Sequence, residues 1–259
     1  MTTSLIITGA CGRMGKTIRE LAEADPAFAV AGLLERGERV AELVGHPCPV
    51  GSRVEDIVPQ AAGAVIIDFT APDATLETAR VAARQGNPMV VGTTGLNDAQ
   101  KAELAELAAA VPLFWAPNMS IGINVLLKVL PELTRLLGDK YDLEMVELHH
   151  NRKKDAPSGT ALRLAECLAE ARDWSLPDVA CYHREGIIGA RPEKEIGVQS
   201  IRGGDVVGVH TVYFMGQGER IEVTHQAHSR ENFAQGALRA AQWLARQPAG
   251  RLYTMQDML

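Results

Sequence analysis

The chain has 259 residues, enough for one large domain or two modest ones, and its composition, rich in Ala, Gly, Val and Leu, is ordinary for an α/β protein. A formal net charge of −6 implies no nucleic-acid surface over the molecule as a whole, and the longest apolar stretches are strand-sized, too short to span a membrane. Cys11, Cys48, Cys167 and Cys181 are scattered with no CxxC pair, which fits reduced thiols rather than a disulfide framework or a zinc site, and the chain enters a strand with no basic leader or cleavage pattern, so a cytoplasmic protein is expected.

Leu5-Ile6-Ile7-Thr8 is a short apolar run that stops at Gly9, and Gly9-Ala10-Cys11-Gly12-Arg13-Met14-Gly15 then feeds a helical pattern at Ile18, Leu21 and Ala22. The segment predicts strand, glycine turn and helix. Its spacing is G-x-x-G-x-x-G, with Cys11 where a Rossmann fingerprint carries its second glycine. Residues 29–34 predict a second strand, and Glu35 follows it at the position where an acid accepts hydrogen bonds from the adenosine ribose. The neighbouring Arg36 offers a planar fork of donors that suits a 2′-phosphate, so NADH and NADPH both stand as candidates.

Residues 45–60 carry three prolines and no clear period, which predicts a loop with at most a short helix. Residues 64–69 form an apolar strand of the parallel-sheet kind, followed by a helix over 73–85 and a further strand over 88–91. That strand ends in Gly92-Thr93-Thr94-Gly95, where the glycines permit close backbone approach and the threonines offer hydroxyls at a carboxyl edge, the ligand-binding edge of open α/β sheets. A helix over 98–110 and a strand at 113–115 lead to Ala116-Pro117-Asn118-Met119-Ser120 at the same edge. The alternation predicts a Rossmann-like parallel sheet.

Apolar positions at Ile123, Leu126, Leu127, Leu130, Leu133 and Leu137 predict a helix over 121–137, bent or restarted at Pro131, that links two domains. Residues 141–150 alternate, with Leu143, Met145 and Glu147 on one side and Glu144, Val146 and Leu148 on the other, as a strand does. Past its end a helix begins near Ser158, and its first N–H groups have no intrahelical partner. His149, His150, Arg152, Lys153 and Lys154 crowd the same turn, giving an anion receptor with titratable groups beside it. A metal site is the weaker reading, because adjacent strand residues point to opposite faces and no third His or Cys lies at ligand spacing. Strands over 196–201, 206–214 and 221–224, separated by glycine turns, predict a small mixed or largely antiparallel sheet, with His225 and His228 on a polar edge. A helix over 231–246 is too amphipathic to stand free and is expected to pack back on the first domain. The expected division is a dinucleotide-binding domain of residues 1–120 and 230–259 and a smaller α+β domain of residues 121–229 that carries the anion receptor.

GACGRMG at 9–15, GLLER at 32–36, IIDFT at 66–70, VVGTTG at 90–95, APNMSIGIN at 116–124 and ELHHNRKKDAPSGTA at 147–161 resemble the motifs of the 4-hydroxy-tetrahydrodipicolinate reductase (dihydrodipicolinate reductase) family, in its order and spacing and almost end to end. Cys11 is the main departure, at a place where members often carry another small residue. The resemblance implies reduction by NADH or NADPH of a cyclic imine dicarboxylate, (2S,4S)-4-hydroxy-2,3,4,5-tetrahydrodipicolinate, to tetrahydrodipicolinate with loss of water, on the diaminopimelate route to lysine. It implies a homotetramer whose sheets pair through the smaller domain, residues 121–229, which also binds the substrate. It puts Gly9, Ala10, Cys11, Gly12, Arg13, Met14, Glu35, Arg36, Gly92, Thr93, Thr94, Ala116, Pro117, Asn118 and Met119 at cofactor positions. His149 and Lys153 fall at acid/base positions, and His150, Gly159 and Thr160 at substrate positions, with Ser158 opening the carboxylate clamp. The split of proton-donor and carboxylate-binding roles among His149, His150 and Lys153 stays open. A different Rossmann dehydrogenase has no reason to carry HHNRKKDAPSGT at 149–160, and a cofactor-sensing regulator that had lost catalysis would show damage at His149 or Lys153, both of which are intact.

Overall fold

The computed structural model describes residues 2–259, which form two compact units, one running to Ile121 and resumed by Arg230–Leu259, the other Gly122–Ser229. In chain order the first unit opens with β1 (Thr3–Thr8), α1 (Arg13–Ala24), β2 (Phe28–Leu34), a 3-10 segment (Gly37–Leu43), β3 (Val50–Gly51), α2 (Val54–Ile57), β4 (Val65–Asp68), α3 (Pro72–Gln85), β5 (Met89–Val91), α4 (Asp98–Leu107) and β6 (Leu113–Trp115). The second holds most of α5 (Ile121–Leu137), then β7 (Asp142–His149), α6 (Gly159–Glu170), α7 (Leu176–Val179), β8 (Ala180–Cys181), β9 (Ile196–Arg202), β10 (Gly208–Met215) and β11 (Arg220–Ala227). The chain ends in the first unit with α8 (Glu231–Leu244), β12 (Leu252–Tyr253) and α9 (Met255–Met258).

The first unit is a seven-stranded sheet in the order β12-β6-β5-β4-β1-β2-β3, parallel throughout. Strand order reverses between β1 and β4, the switch point where such sheets open a crevice at their carboxyl edge. Alternation decides which core each side chain joins: Leu5, Ile7, Val65, Ile67, Val90 and Phe114 pack with α1 and α8, while Ile6, Ile66, Met89, Val91 and Leu113 face α2, α3 and α4. The helix α8 is held by Ala234, Ala237, Leu238, Ala241 and Leu244, and a Cβ at Gly236 would fall 1.8 Å from the Met119 carbonyl oxygen. Residues 45–60, expected as a loop, contain a two-residue strand as well as a helical turn, because β3 borrows its register from β2 rather than from any period of its own. The strand β12, on the opposite edge, likewise gives no sequence signal at its length.

In the second unit α5 runs unbroken through Pro131, with the Thr134 hydroxyl donating to the Leu130 carbonyl one turn back. The sheet order is β11-β10-β7-β9-β8, in which β10 is antiparallel to β7 and β11 while β9 is parallel to both β7 and β8. It is therefore mixed, since the crossover through α6 brings the chain back to lay β9 alongside β7 in the same direction. Leu143, Met145, Ile196, Val198, Val212 and Phe214 line its inner face and pack with Leu130, Leu164 and Leu168. The edge strand β11 turns His225 towards that face opposite His210, half-buried rather than on a purely polar edge, and leaves His228 exposed beyond its end.

Candidate active site

At the carboxyl edge of the first sheet the chain leaves β1 through Gly9, whose φ of 62° no ordinary side chain adopts without strain. The Gly12 amide closes the turn on the Gly9 carbonyl at 2.8 Å, and a Cβ at Gly15 would sit 2.1 Å from that same carbonyl oxygen. The first bond of α1 joins the Lys16 amide to Gly12, so the amides of Arg13, Met14 and Gly15 lie ahead of it at the open helix end. A cleft of about 480 Å³ adjoins, lined by Gly9, Gly12, Glu35, Arg36, Arg39, Ser52, Phe69 and Thr70 among others. Glu35 is buried and accepts from the Cys11 amide at 2.8 Å and the Arg36 amide at 2.9 Å, so its carboxylate braces the glycine turn as well as bordering the cleft. Arg36 is largely exposed, within 3.9 Å of Glu35 and 3.5 Å of Glu38.

Two features here escape sequence reasoning. Arg39 lines the cleft with its guanidinium aligned by paired hydrogen bonds to Glu42 at 2.7 and 2.9 Å, and it donates to the Cys11 carbonyl at 3.2 Å. Asp68, fully buried at the end of β4, accepts from the hydroxyls of Thr8, Thr70, Thr75 and Thr93 and from the Thr70 amide. The Thr93 hydroxyl, expected to face a ligand, is thus turned inward at 2.7 Å from Asp68, because a buried carboxylate needs every donor within reach. Thr94 stays exposed, and residues 116–119 leave β6 at the same edge, with Met119 buried and the Asn118 side chain accepting from the Ser120 amide at 2.8 Å.

In the second unit the expected stretch folds as a compact turn between β7 and α6. The Ser158 hydroxyl caps α6 by accepting from the Ala161 amide at 3.1 Å, and the first helix bond runs from the Leu162 amide to the Ser158 carbonyl, with Gly159 as the first residue of the helix. Gly159 is exposed, and a side chain there would meet nothing within 4 Å. His149 stands at the end of β7 with Nδ1 2.5 Å from Glu147 Oε2. Lys153 pairs with Asp155 at 2.9 Å, so the crowd of cations around it is answered by an anion, and that contact holds the Asp155 carboxyl below its usual range. His150 Nδ1 accepts from the Arg152 amide at 3.2 Å.

Behind these residues lies a second row. Glu147 is wholly buried, receives Arg202 in a two-pronged contact at 2.7 and 2.8 Å, and accepts the Ser158 amide at 3.1 Å. Burial alone would push its carboxyl up, yet hydrogen bonds from His149, Arg202, Ser200 and Ser158 outweigh that and hold it far below the carboxylate range. His210, on β10 opposite Glu147, reaches the Ser158 hydroxyl through Nε2 at 3.1 Å and meets the His149 ring edge-on at 5.2 Å. Burial, reinforced by His149, pushes His210 down to about 4, so it is neutral in ordinary buffers. The sequence held one clue to this row, an acid alternating with Leu143 and Met145 on the apolar face of a strand.

A glycine-turn parallel sheet joined to a unit that carries a carboxylate-braced imidazole beside an open helix end is the build of a two-domain Rossmann-type oxidoreductase. Residues 3–119 match the family described as dihydrodipicolinate reductase, N-terminus, and residues 122–259 its C-terminus. The chain belongs to the dihydrodipicolinate reductase family. It is 70% identical over 258 residues to a 4-hydroxy-tetrahydrodipicolinate reductase of Nitratidesulfovibrio vulgaris (strain DP4) and 65% identical over 258 residues to one of Desulfovibrio desulfuricans, each alignment covering 100% of both chains. Among solved structures, a dipicolinate-bound dihydrodipicolinate reductase from Paenisporosarcina sp. TG-14 superposes with a TM-score of 0.79 at 26% identity, covering 100% of each chain. No helix among the described residues is long and apolar enough to cross a membrane.

Proposed function

We propose that this chain reduces (2S,4S)-4-hydroxy-2,3,4,5-tetrahydrodipicolinate to 2,3,4,5-tetrahydrodipicolinate, with loss of water, in the cytoplasmic route through diaminopimelate to lysine. The observation that carries the reading is the turn from His149 to Thr160, where an imidazole, an ammonium group and an open helix end come together on one short segment. A relative with dipicolinate bound supports a planar ring dicarboxylate as the ligand.

The first unit fits a dinucleotide. Gly9 and Gly12 shape the turn, Gly15 lets α1 pack against it, the amides at the head of α1 are placed to receive an anion, and the adjoining cleft has room for an adenosine. When bound, the reduced nicotinamide supplies the hydride. Ala10, Cys11, Arg13 and Met14 would frame the pyrophosphate, Glu35 would accept from ribose hydroxyls, and Gly92, Thr94 and residues 116–119 would border the rest. Arg36, with Arg39 beside it, offers guanidinium groups to a 2′-phosphate while Glu35 offers an acceptor to a 2′-hydroxyl, so both NADPH and NADH are served.

Hydride addition to a conjugated C=C–C=N system leaves an electron pair that a proton must meet. His149 is the donor in this proposal. Lys153 holds one substrate carboxylate as a cation, helped by His150, and the amides of Gly159 and Thr160 hold the other. A homotetramer belongs to the proposal as well: Val146, Leu148, Val209 and Tyr213 lie on the sheet face opposite the α5 and α6 contacts, where Ile201 is 49% exposed.

Mixing the protein with enzymatically generated substrate and following nicotinamide absorbance tests the reading. Oxidation of NADH or NADPH is expected, and its absence with both would refute it. Lys153→Met should lower kcat by at least about a hundredfold and leave cofactor affinity nearly unchanged.

A further inference from the structure

We infer that Glu147, gripped by Arg202, is a positioning residue for His149: it dictates which ring nitrogen faces the ligand and ties that ring to the start of α6. The inference rests on His149 being the proton donor, and it extends that reading to residues that touch neither substrate nor cofactor.

The register of the second sheet builds the arrangement. Glu147 on β7 lies between His210 on β10 and Ser200 on β9, and His149, two residues on, lies beside Arg202. All these side chains share one face. Glu147 is 0% exposed and continues, on β7, the face that carries Leu143 and Met145. A buried ion pair adds little to stability that apolar packing could not supply, and its better-attested use is to impose one arrangement.

The donor inventory fixes that arrangement. An ionised carboxylate only accepts hydrogen bonds. Glu147 Oε2, taking Arg202 Nη1 at 2.8 Å, therefore also takes the proton on His149 Nδ1, which leaves Nε2 as the outward nitrogen. Gly208 faces Nε2, and a Cβ there would stand 3.1 Å away, so the missing side chain keeps that nitrogen approachable. Glu147 Oε1 accepts the Ser158 amide at 3.1 Å, and Ser158 is the cap that opens α6. One carboxylate thus indexes both the donor imidazole and the helix end proposed to hold a substrate carboxylate. The other charged or titratable groups of this cluster are Arg202 on β9, which also donates to the Asp155 carbonyl, His210 on β10 and His225 on β11, and the Lys153–Asp155 pair with His150 on the turn.

The test is side-chain ¹⁵N NMR of the full-length protein, paired with separate measurement of kcat and KM. In the wild type the neutral His149 ring should be a single tautomer protonated on Nδ1; protonation on Nε2 would overturn the inference at once. Glu147→Gln should mix the tautomers and lower kcat by about a hundredfold, with KM within a fewfold. Should that variant fail to fold, the double variant Glu147→Gln with Arg202→Gln removes both charges together and predicts the same NMR change. A folded variant that keeps the single tautomer and the wild-type kcat would overturn the inference, and so would one that keeps the single tautomer at lowered kcat. The tautomer is read without turnover, so an inactive wild type would refute the proposed function while leaving this result to stand on its own.

Discussion

Replacing Gly15 with alanine tests the geometry on which cofactor binding depends. The added Cβ would lie 2.1 Å from the Gly9 carbonyl oxygen, 2.7 Å from its carbon and 2.9 Å from the Ala10 Cα. All three are backbone atoms, and ordinary contact begins near 3.4 Å, so α1 must move from the turn by roughly 1 Å. Overpacking of this kind costs about 1–3 kcal/mol of stability, readable as a lower urea midpoint at unchanged slope. The same movement displaces the amides of Arg13 and Met14 from an anion at the helix end, and a loss of about 1.4 kcal/mol there weakens cofactor binding tenfold. Gly203→Ala is the control, since a Cβ at Gly203 meets nothing within 4 Å and its effect should stay inside about 0.5 kcal/mol. A Gly15→Ala protein that matches the wild type in both urea midpoint and NADH affinity would refute the reasoning.

Four more predictions follow from the same geometry. Asp68→Asn sets an amide NH₂ among the hydroxyl donors Thr8, Thr70, Thr75 and Thr93 and should cost roughly 3 kcal/mol in urea unfolding. Because His210 is held down to about 4, the unfolded chain binds the extra proton between about pH 6.5 and 4; stability should therefore fall by about 3 kcal/mol as pH drops through that window, and His210→Gln should flatten the fall. Glu147, held far below the usual carboxylate range, adds stability that is present above about pH 4.3 and lost only at lower pH, so its loss appears as a separate, more acidic step in the same titration. Arg36→Ala should weaken NADPH selectively, and equal weakening of NADH by calorimetry would count against a 2′-phosphate contact.

Wherever one element carries its own signal, the sequence declares the fold. The apolar runs at Leu5 and Val65 announce buried parallel strands, the helix over 231–246 announces its amphipathic face, and Ser158 announces a helix start that the structure bears out as a cap hydrogen bond. The two-residue strands β3 and β12 have no room for a period, and the parallel pairing of β7 with β9 depends on a long crossover rather than on either strand. The same limit applies to the site. His149, Lys153 and Ser158 lie on one segment and are visible together, whereas Arg202 and His210 reach Glu147 and Ser158 only through sheet register. Thr93 shows the opposite failure, in which a hydroxyl at the expected edge is claimed by a buried acid from the neighbouring strand.

The central claim, direct hydride delivery to the ring dicarboxylate, is tested most directly with cofactor deuterated at the transferring position of the nicotinamide. One deuterium per oxidised cofactor should appear at a single ring carbon of the tetrahydrodipicolinate formed, as read by mass spectrometry and NMR. Product free of deuterium, or cofactor left unoxidised in the presence of substrate, would contradict the account.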